Sequence, residues 1–325
     1  MLQPLRFLKL VLLSFFVGYG SLTAAAQDWP TRTVTIVVPL GAGSSSDIMA
    51  RTVAEQLSKQ LGQSFIVENR PGAGGTIGAN AVAKSVPDGY TVLAYGALAT
   101  ANALHSKVPY DTLNDFIPVI SFGVQPLVIV TSPAKGYKTL ADLIAAAKAK
   151  PGQLTFSSAG VGSASHFAAE RLSASAGFKA QHVPYRGAAE AVTEIVAGRI
   201  DFSPQLPTTT LPLVREGKLV ALAVSAHKRA SVFPNVPTTI EAGLKADSVY
   251  PFYSGFFLPA KTPRAIVEKL HAETAKALQA PAVKERFTAL GVEPMPMNLA
   301  EFGKFFREDV AAALELVKTA NIPRQ

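Results

Sequence analysis

Residues 34–61 read VTIVVPLGAGSSSDIMARTVAEQLSKQL, and the order of textures in this stretch decides the fold. Val34-Thr35-Ile36-Val37-Val38 is a short β-branched run of the kind that forms a buried strand. Gly41-Ala42-Gly43-Ser44-Ser45-Ser46 is a turn by composition. Beyond it Ala50, Val53, Ala54, Leu57 and Leu61 recur at helical spacing and lay one apolar stripe along a 3.6-residue period. The serines are good N-caps, Asp47 complements the helix dipole in the first turn, and Gly62 supplies the stop. The unit is strand, turn, helix. The first amides of such a helix have no acceptor inside it, and the glycines allow close backbone approach, so the turn suits a carboxylate or phosphate. An ordinary tight βα turn without a ligand is the other reading of the same residues.

The device recurs along the chain. Residues 64–68 read as a second strand, followed by the glycine-rich turn 69–75 and a small-residue helix from about 76 to 85. A third strand, 90–95, gives way to Gly96-Ala97. Three such strand ends predict a sheet with a common rim, and ligands of open α/β sheets sit at the carboxyl ends of strands. Residues 118–131 are apolar without helical period and read as a strand leaving the first lobe. Thr139 and Asp142 resemble a capping box for a helix ending before Pro151-Gly152. A strand at 154–157 then runs into the turn Ser158-Ala159-Gly160-Val161-Gly162-Ser163 and a helix with Ala164, Phe167, Ala168, Leu172 and Ala176 on one face. Val183-Pro184-Tyr185-Arg186-Gly187 precedes a helix over 188–197, and residues 201–212, rich in Pro and Thr, read mostly as loop before a strand at 219–224. Thr262 and Pro263 read as N-cap and N1 of a helix to about 278. Asn298 and Glu301 cap a last helix carrying Phe302, Phe305, Phe306, Val310 and Leu314.

Arg6 and Lys9 precede an apolar run over 10–17, and Ala24-Ala25-Ala26 offers a cleavage site, the pattern of a Sec-type signal peptide. The run is shorter than the ~18 residues a spanning helix needs. Cleavage near Ala26 leaves about 300 residues, room for two domains at roughly 100–200 each. A chain without cysteine has no disulfide, thiolate metal site or lipidated cysteine, so a soluble periplasmic protein is expected. The net charge of +8 comes without a Lys/Arg run, which argues against nucleic acid.

The dinucleotide fingerprint is absent from the first turn, where Ser46 stands at the third glycine position, and Gly72, Gly74 and Gly78 are spaced too loosely. No G-x-S-x-G elbow is present. Ser163 and Ser165 lie near His166, the one arrangement that offers a secreted hydrolase. Sequence neighbours at a helix start do not face each other as a catalytic pair, however, and His166 reads as structural, capping or paired with Glu170. The remaining histidines are scattered without metal-ligand spacing. What remains is a set of Gly/Ser turns in both halves that bind anions through amides and hydroxyls, which favours binding over catalysis.

Pro39-Leu40-Gly41-Ala42-Gly43-Ser44-Ser45-Ser46-Asp47 with Ala50-Arg51, the string 68–78 (ENRPGAGGTIG) and Pro87-Asp88-Gly89-Tyr90-Thr91 resemble the tripartite tricarboxylate transporter solute receptors, also called the Bug family. The match continues through Tyr110-Asp111, Asp115-Phe116, residues 158–166, 183–187 and 221–224, Arg229 and Val236-Pro237-Thr238, and spans essentially the whole mature chain. The resemblance implies an α/β, two-lobed periplasmic binding protein of the second structural class, closing like a flytrap on a ligand in the cleft. Lobe 1 is then discontinuous, 27–127 with 250–325, and lobe 2 is 128–249, with hinge strands near 127–130 and 252–258.

The family holds a ligand carboxylate by amides, hydroxyls and waters. Carried onto this chain, the first-lobe contacts fall on Leu40, Gly41, Gly43, Ser44, Ser45 and Ser46, on Gly74 and Gly75, and on Gly96 and Ala97. The second-lobe contacts fall on Ser158, Gly160, Gly162 and Ser163 with His166 nearby, and on Asp201 and the loop after it. Valine at Gly43 or Gly162 is expected to weaken binding while the protein still folds. Departures are Ser44 where a second glycine is common, Tyr253 for a tryptophan, and Lys261 for the glycine of a PAGTP string. The implied function is capture of a small organic carboxylate by a monomer without cofactor, for a transporter with a large and a small membrane subunit. The alternatives are the hydrolase above and a receptor feeding a sensor.

Overall fold

The computed structural model describes residues 29–324, and the signal-peptide expectation for residues 1–26 lies outside them. In chain order the elements are β1 (Val34–Val38), α1 (Ser45–Leu61), β2 (Phe65–Asn69), α2 (Thr76–Ala83), β3 (Thr91–Tyr95), α3 (Leu98–Leu104), β4 (Phe116–Thr131), α4 (Leu140–Ala149), β5 (Thr155–Ser158) and α5 (Ala164–Ala176). They continue as β6 (Gln181–Pro184), α6 (Ala188–Val196), β7 (Ser203–Gln205), α7 (Pro207–Arg215), β8 (Val220–Ser225), β9 (Pro251–Pro259), α8 (Arg264–Gln279), α9 (Pro281–Ala289) and α10 (Leu299–Thr319).

Strand β4 organises the two lobes. Its first part pairs antiparallel with β9, from Phe116↔Pro259 to Pro126↔Pro251. Through β9 it joins the first-lobe sheet, in which β3 is antiparallel to β9 and β1 is parallel to β2 and β3. From Leu127 onward β4 pairs with β7 and β8 in the second lobe. The parallel pair β5–β6 adjoins that sheet through a bridge between Phe156 and Phe202. The last residues of β4 are covered on both faces: Ile129 packs with Leu140, Leu143 and Phe156, while Val128 and Val130 pack with Ile195 and Leu211. This explains the unbroken apolar run, since a strand buried on both faces has no polar alternation.

Helix α1 follows the expected stripe. Ala50, Val53, Ala54 and Leu57 are buried with Met49, and each larger side chain contributes about 1.5–3 kcal/mol by leaving water. Ser44 is the N-cap, and Gly62, at φ 66°, ends the helix in the left-handed conformation. The capping boxes Thr139/Asp142 and Asn298/Glu301 both form.

Three expectations are corrected. Residues 201–212 are not mainly loop but contain β7 and α7. Pro207 sits at N1, where its missing N–H costs nothing, and the Thr209 and Thr210 hydroxyls donate to Leu206 O at 3.0 and 3.1 Å. Helix α8 starts one residue late, with Pro263 as N-cap, because the Thr262 hydroxyl turns back to Pro259 O. On α10 the buried stripe is Phe302, Phe306, Val310, Ala313 and Val317, and Leu314 is 39% exposed.

Candidate functional site

A cavity of about 160 Å³ lies between the lobes, lined by residues 40–46, Tyr95 and Ala97 of the first lobe and 163–165 and 187–189 of the second. Gln205, Leu206 and Thr209 close another side, and Leu127 and Phe252 reach it from the shared strands. One water needs about 10–15 Å³ on this measure, so the space fits a small organic molecule. No Lys, Arg, His, Asp or Glu lines it.

The first turns of three helices meet there: Ser45 and Ser46 open α1, Ala164 and Ser165 open α5, and Ala188 and Ala189 open α6. Their amides have no acceptor within the helix, and each helix end carries roughly half a positive charge. Caps differ among the three. Ser44 Oγ accepts from Asp47 N at 3.4 Å and Ser163 Oγ from His166 N at 3.3 Å, whereas α6 begins at Gly187, which has no capping side chain.

Asp47 is a clamp behind the first turn. Its carboxylate accepts from Gly43 N (2.9 Å), Arg51 Nε (3.0 Å) and Asn69 Nδ2 (2.9 Å), and Asn69 Nδ2 also donates to Leu40 O at 3.0 Å. Burial by itself raises this carboxyl, but the bonds from Arg51, Gly43 and Asn69 outweigh it and hold it below the ordinary aspartate value. The charge is thus spent on the turn's geometry.

Of the predicted contacts, Leu40, Gly41, Gly43, Ser44, Ser45, Ser46, Ala97 and Ser163 line the cavity. Gly74, Gly160 and Gly162 lie instead on the seam where the lobes touch. A Cβ on Gly74 would stand 1.7 Å from Val161 O, and one on Gly162 would stand 2.9 Å from Ala101 and His105. Across this seam Thr100 Oγ1 donates to Gly162 O at 2.8 Å and His105 Nε2 to Val161 O at 3.0 Å. Gly75 packs against the Tyr95 ring and Gly96 against Tyr253 O, both behind the cavity wall.

Ser158, His166 and Asp201 do not line the cavity. Asp201 binds Lys135 Nζ at 2.7 Å and Thr155 N at 2.8 Å; burial raises its carboxyl, and these partners bring it below the ordinary value. His166 is fully buried, accepts from Gly162 N through Nδ1 (3.3 Å) and has Nε2 3.6 Å from Glu170. Its ring nitrogens therefore face neither Ser163 nor Ser165, whose hydroxyls lie 3.2 Å from each other. The serine–histidine contact in this region is Ser158 Oγ to His182 Nε2 at 2.6 Å, with the His182 ring stacked 3.8 Å from His166. Burial, with His166 beside it, lowers His182 to about 3. Ser158 is fully buried.

The segment after Asp201, expected to contribute contacts, supplies Gln205, Leu206 and Thr209 to the lining, whereas the sequence reading passed over Tyr95 and the α6 start. A helix signal beginning at Gly187 without a Ser, Thr or Asp cap is the one local sign that α6 leaves its first amides for another acceptor. Among the described residues no group of three His, Asp or Glu is placed to hold a metal, and no helix is long and apolar enough to cross a membrane.

Residues 49–322 match the model of the tripartite tricarboxylate transporter family receptor. Among solved structures, the periplasmic binding protein BugD is 31% identical with a TM-score of 0.86, covering 91% of this chain and 100% of its own. Rpa4515 of R. palustris, determined with adipate, is 32% identical with a TM-score of 0.85, covering 91% and 99%. MatC of Rhodopseudomonas palustris, determined with bound malate, is 32% identical with a TM-score of 0.84, covering 89% and 100%. With nearly the whole described chain matched and the two-lobed α/β fold shared, the protein belongs to the tripartite tricarboxylate transporter receptor family.

Proposed function

We propose that this protein is an extracytoplasmic receptor that captures a small organic carboxylate and passes it, chemically unchanged, to a transporter of one large and one small membrane subunit. The observation that carries the reading is the meeting of three helix N-termini, from both lobes, on one cavity whose wall holds no charged side chain. Such a wall supplies amide donors and positive dipole ends to an anion, and holds no ionisable acid or base to activate its serine hydroxyls. Adipate in Rpa4515 and malate in MatC support the carboxylate class.

In this reading the lobes are 27–127 with 250–325 and 128–249, joined through β4 and β9, and the carboxylate lies between the turn 41–46 and the starts of α5 and α6. Export with cleavage near Ala26 belongs to the same reading. Gly74, Gly160 and Gly162 act in closure of the lobes, and Asp201 and His166 shape the second lobe.

The test is the melting temperature of the refolded, ligand-stripped protein against a panel of carboxylic acids. An acid at 100 times its Kd stabilises by about 2.7 kcal/mol, and each kcal/mol moves a chain of this size by roughly 2–4 °C. A shift with acids but not with their amides, the acid being recovered intact, is the expected result. Equal shifts with the amides, or turnover of the acid, would refute it.

A further inference from the structure

We infer that Gln205 selects the ligand by accepting a hydrogen bond from a hydroxyl on its body, so that the solute is a hydroxylated carboxylate; this rests on the carboxylate-receptor reading above. Gln205 ends β7, is 2% exposed and lines the cavity. Its amide has one orientation. Ser203 Oγ spends its only proton on Ser157 O at 2.6 Å, so toward Gln205 it can only accept, and the amide atom 2.9 Å from it must be Nε2. Ser157 and Ser203 are both fully buried, which leaves no water to loosen this chain. With Nε2 anchored, Oε1 is left to the cavity: among the described residues no group donates to it, and it is not one of the enclosed polar atoms without a partner.

Ser45, on the opposite lobe, is fixed in the same sense. Gln125 Nε2 donates to Leu290 O at 2.7 Å, which orients that amide so that its Oε1 takes the Ser45 proton, and the Ser45 oxygen is left to accept. Other hydroxyls of the wall are free to donate. Ser44 Oγ accepts from Asp47 N and Ser46 Oγ from Ser254 Oγ, so each keeps its proton, and the Ser163–Ser165 pair keeps one between them. Those protons and the amides of the helix starts serve the oxygens of a ligand, carboxylate oxygens included. Gln205 Oε1 and Ser45 Oγ call for the reverse, a donor on the ligand. A carboxylate oxygen set against Oε1 would be repelled. An ammonium group would donate, but no Asp or Glu lines the cavity to balance its charge, and the helix N-termini oppose it. A hydroxyl donates to Oε1 and accepts from the second proton of Nε2, so it satisfies the whole amide edge. The rest of the wall, Leu40, Tyr95, Leu127, Leu206 and Phe252, is largely apolar and covers the carbon body.

The experiment is isothermal titration of the full chain, stripped and refolded, with pairs of acids that differ by one hydroxyl: lactate and propionate, 3-hydroxybutyrate and butyrate, malate and succinate, mandelate and phenylacetate, 4-hydroxybenzoate and benzoate. Leaving a buried acceptor without its donor costs roughly 5- to 150-fold in Kd, so in at least one pair the hydroxy acid should bind about tenfold or more tightly than its partner. The same acid with fluorine in place of the hydroxyl keeps the shape and loses the donor, and should bind no better than the deoxy acid; this is read on the wild type and needs no variant to fold. In Gln205→Met, which keeps the length of the side chain without the amide, the hydroxy acid should lose its advantage while the deoxy acid stays within about threefold of its wild-type Kd. Equal or tighter binding of the deoxy acid in every pair, binding by none of the ten acids, a fluoro acid as tight as the hydroxy acid, or an undiminished preference in Gln205→Met each overturns the inference and leaves the carboxylate reading standing. Binding of the amide of the preferred acid as tightly as the acid overturns the carboxylate reading itself.

Discussion

Gly74→Ala is expected to weaken ligand binding without unfolding either lobe. Gly74 lies between β2 and α2 at φ 60°, and a Cβ added there would sit 1.7 Å from Val161 O, 2.8 Å from Val161 C and 3.3 Å from Ser163 N, all on the opposite lobe. Restoring ordinary contact requires the lobes to part locally by about 1.5 Å or more. The two hydrogen bonds nearest that contact, Thr100 Oγ1 to Gly162 O at 2.8 Å and His105 Nε2 to Val161 O at 3.0 Å, then pass out of range. At about 0.5–1.5 kcal/mol each, their loss destabilises the closed state by about 1–3 kcal/mol, which is roughly 5- to 150-fold in Kd.

The strain of alanine at positive φ, about 1–2 kcal/mol, is present with the lobes open or closed and so lowers the melting temperature without entering the binding constant. Gly177→Ala, at φ 68° with nothing within 4 Å of its Cβ, is the matched control for that strain. The assay is calorimetric titration with an acid that binds the wild type, beside thermal melts of both variants. Wild-type affinity in Gly74→Ala, within about twofold, would refute the argument that this seam closes over the ligand.

Asp47→Ala should destabilise the first lobe by about 2–4 kcal/mol in urea melts and weaken acid binding as well. It removes the acceptor for Gly43 N, Arg51 and Asn69 at a buried site. Asp309 is raised to about 6 by burial, with Tyr253 and Arg171 pulling against that. Since the folded value exceeds the unfolded one, its stabilising contribution is complete below pH 4 and is lost as pH rises through 6. Asp309→Asn should therefore raise the melting temperature at pH 8 relative to wild type, by up to about 3 kcal/mol in stability, and change little at pH 4. His182, lowered to about 3, has the opposite sign: its contribution is complete above pH 6.5 and is lost as pH falls toward 3. A His182→Gln variant should accordingly show a shallower loss of melting temperature between pH 7 and 4, and an unchanged slope would refute the assignment.

Much of the site was legible locally because a helix start announces itself in adjacent residues. The cap at Ser44, the dipole partner Asp47, the stripe over 50–57 and the stop at Gly62 are all neighbours in sequence, and each has the role expected of it. The same holds for Ser163 before α5 and for the two capping boxes. Local signals failed where the partner is distant. Asp201 looks like a loop carboxylate in sequence, and its pairing with Lys135, on the turn after β4, and with Thr155, at the start of β5, joins residues far apart along the chain. His166 stands beside two serines in sequence, yet the helix turns its ring away from both, toward Gly162 and Glu170.

By itself, the sequence determined the strand-turn-helix units, the anion-suited turns in both halves and the family, because these depend on short-range periodicity, caps and glycine-bearing strings. Only the tertiary structure decided which turns meet. Strand β4, divided between two sheets, brings residues 41–46, 163–165 and 187–189 to one cavity and leaves Gly74 and Gly162 to the seam beside it. It also set the apolar character of the wall, since Leu40, Tyr95, Leu127, Leu206 and Phe252 are scattered over more than two hundred residues and meet only when the lobes pack. Convergence of this kind follows from long-range burial and strand pairing, which no local pattern encodes.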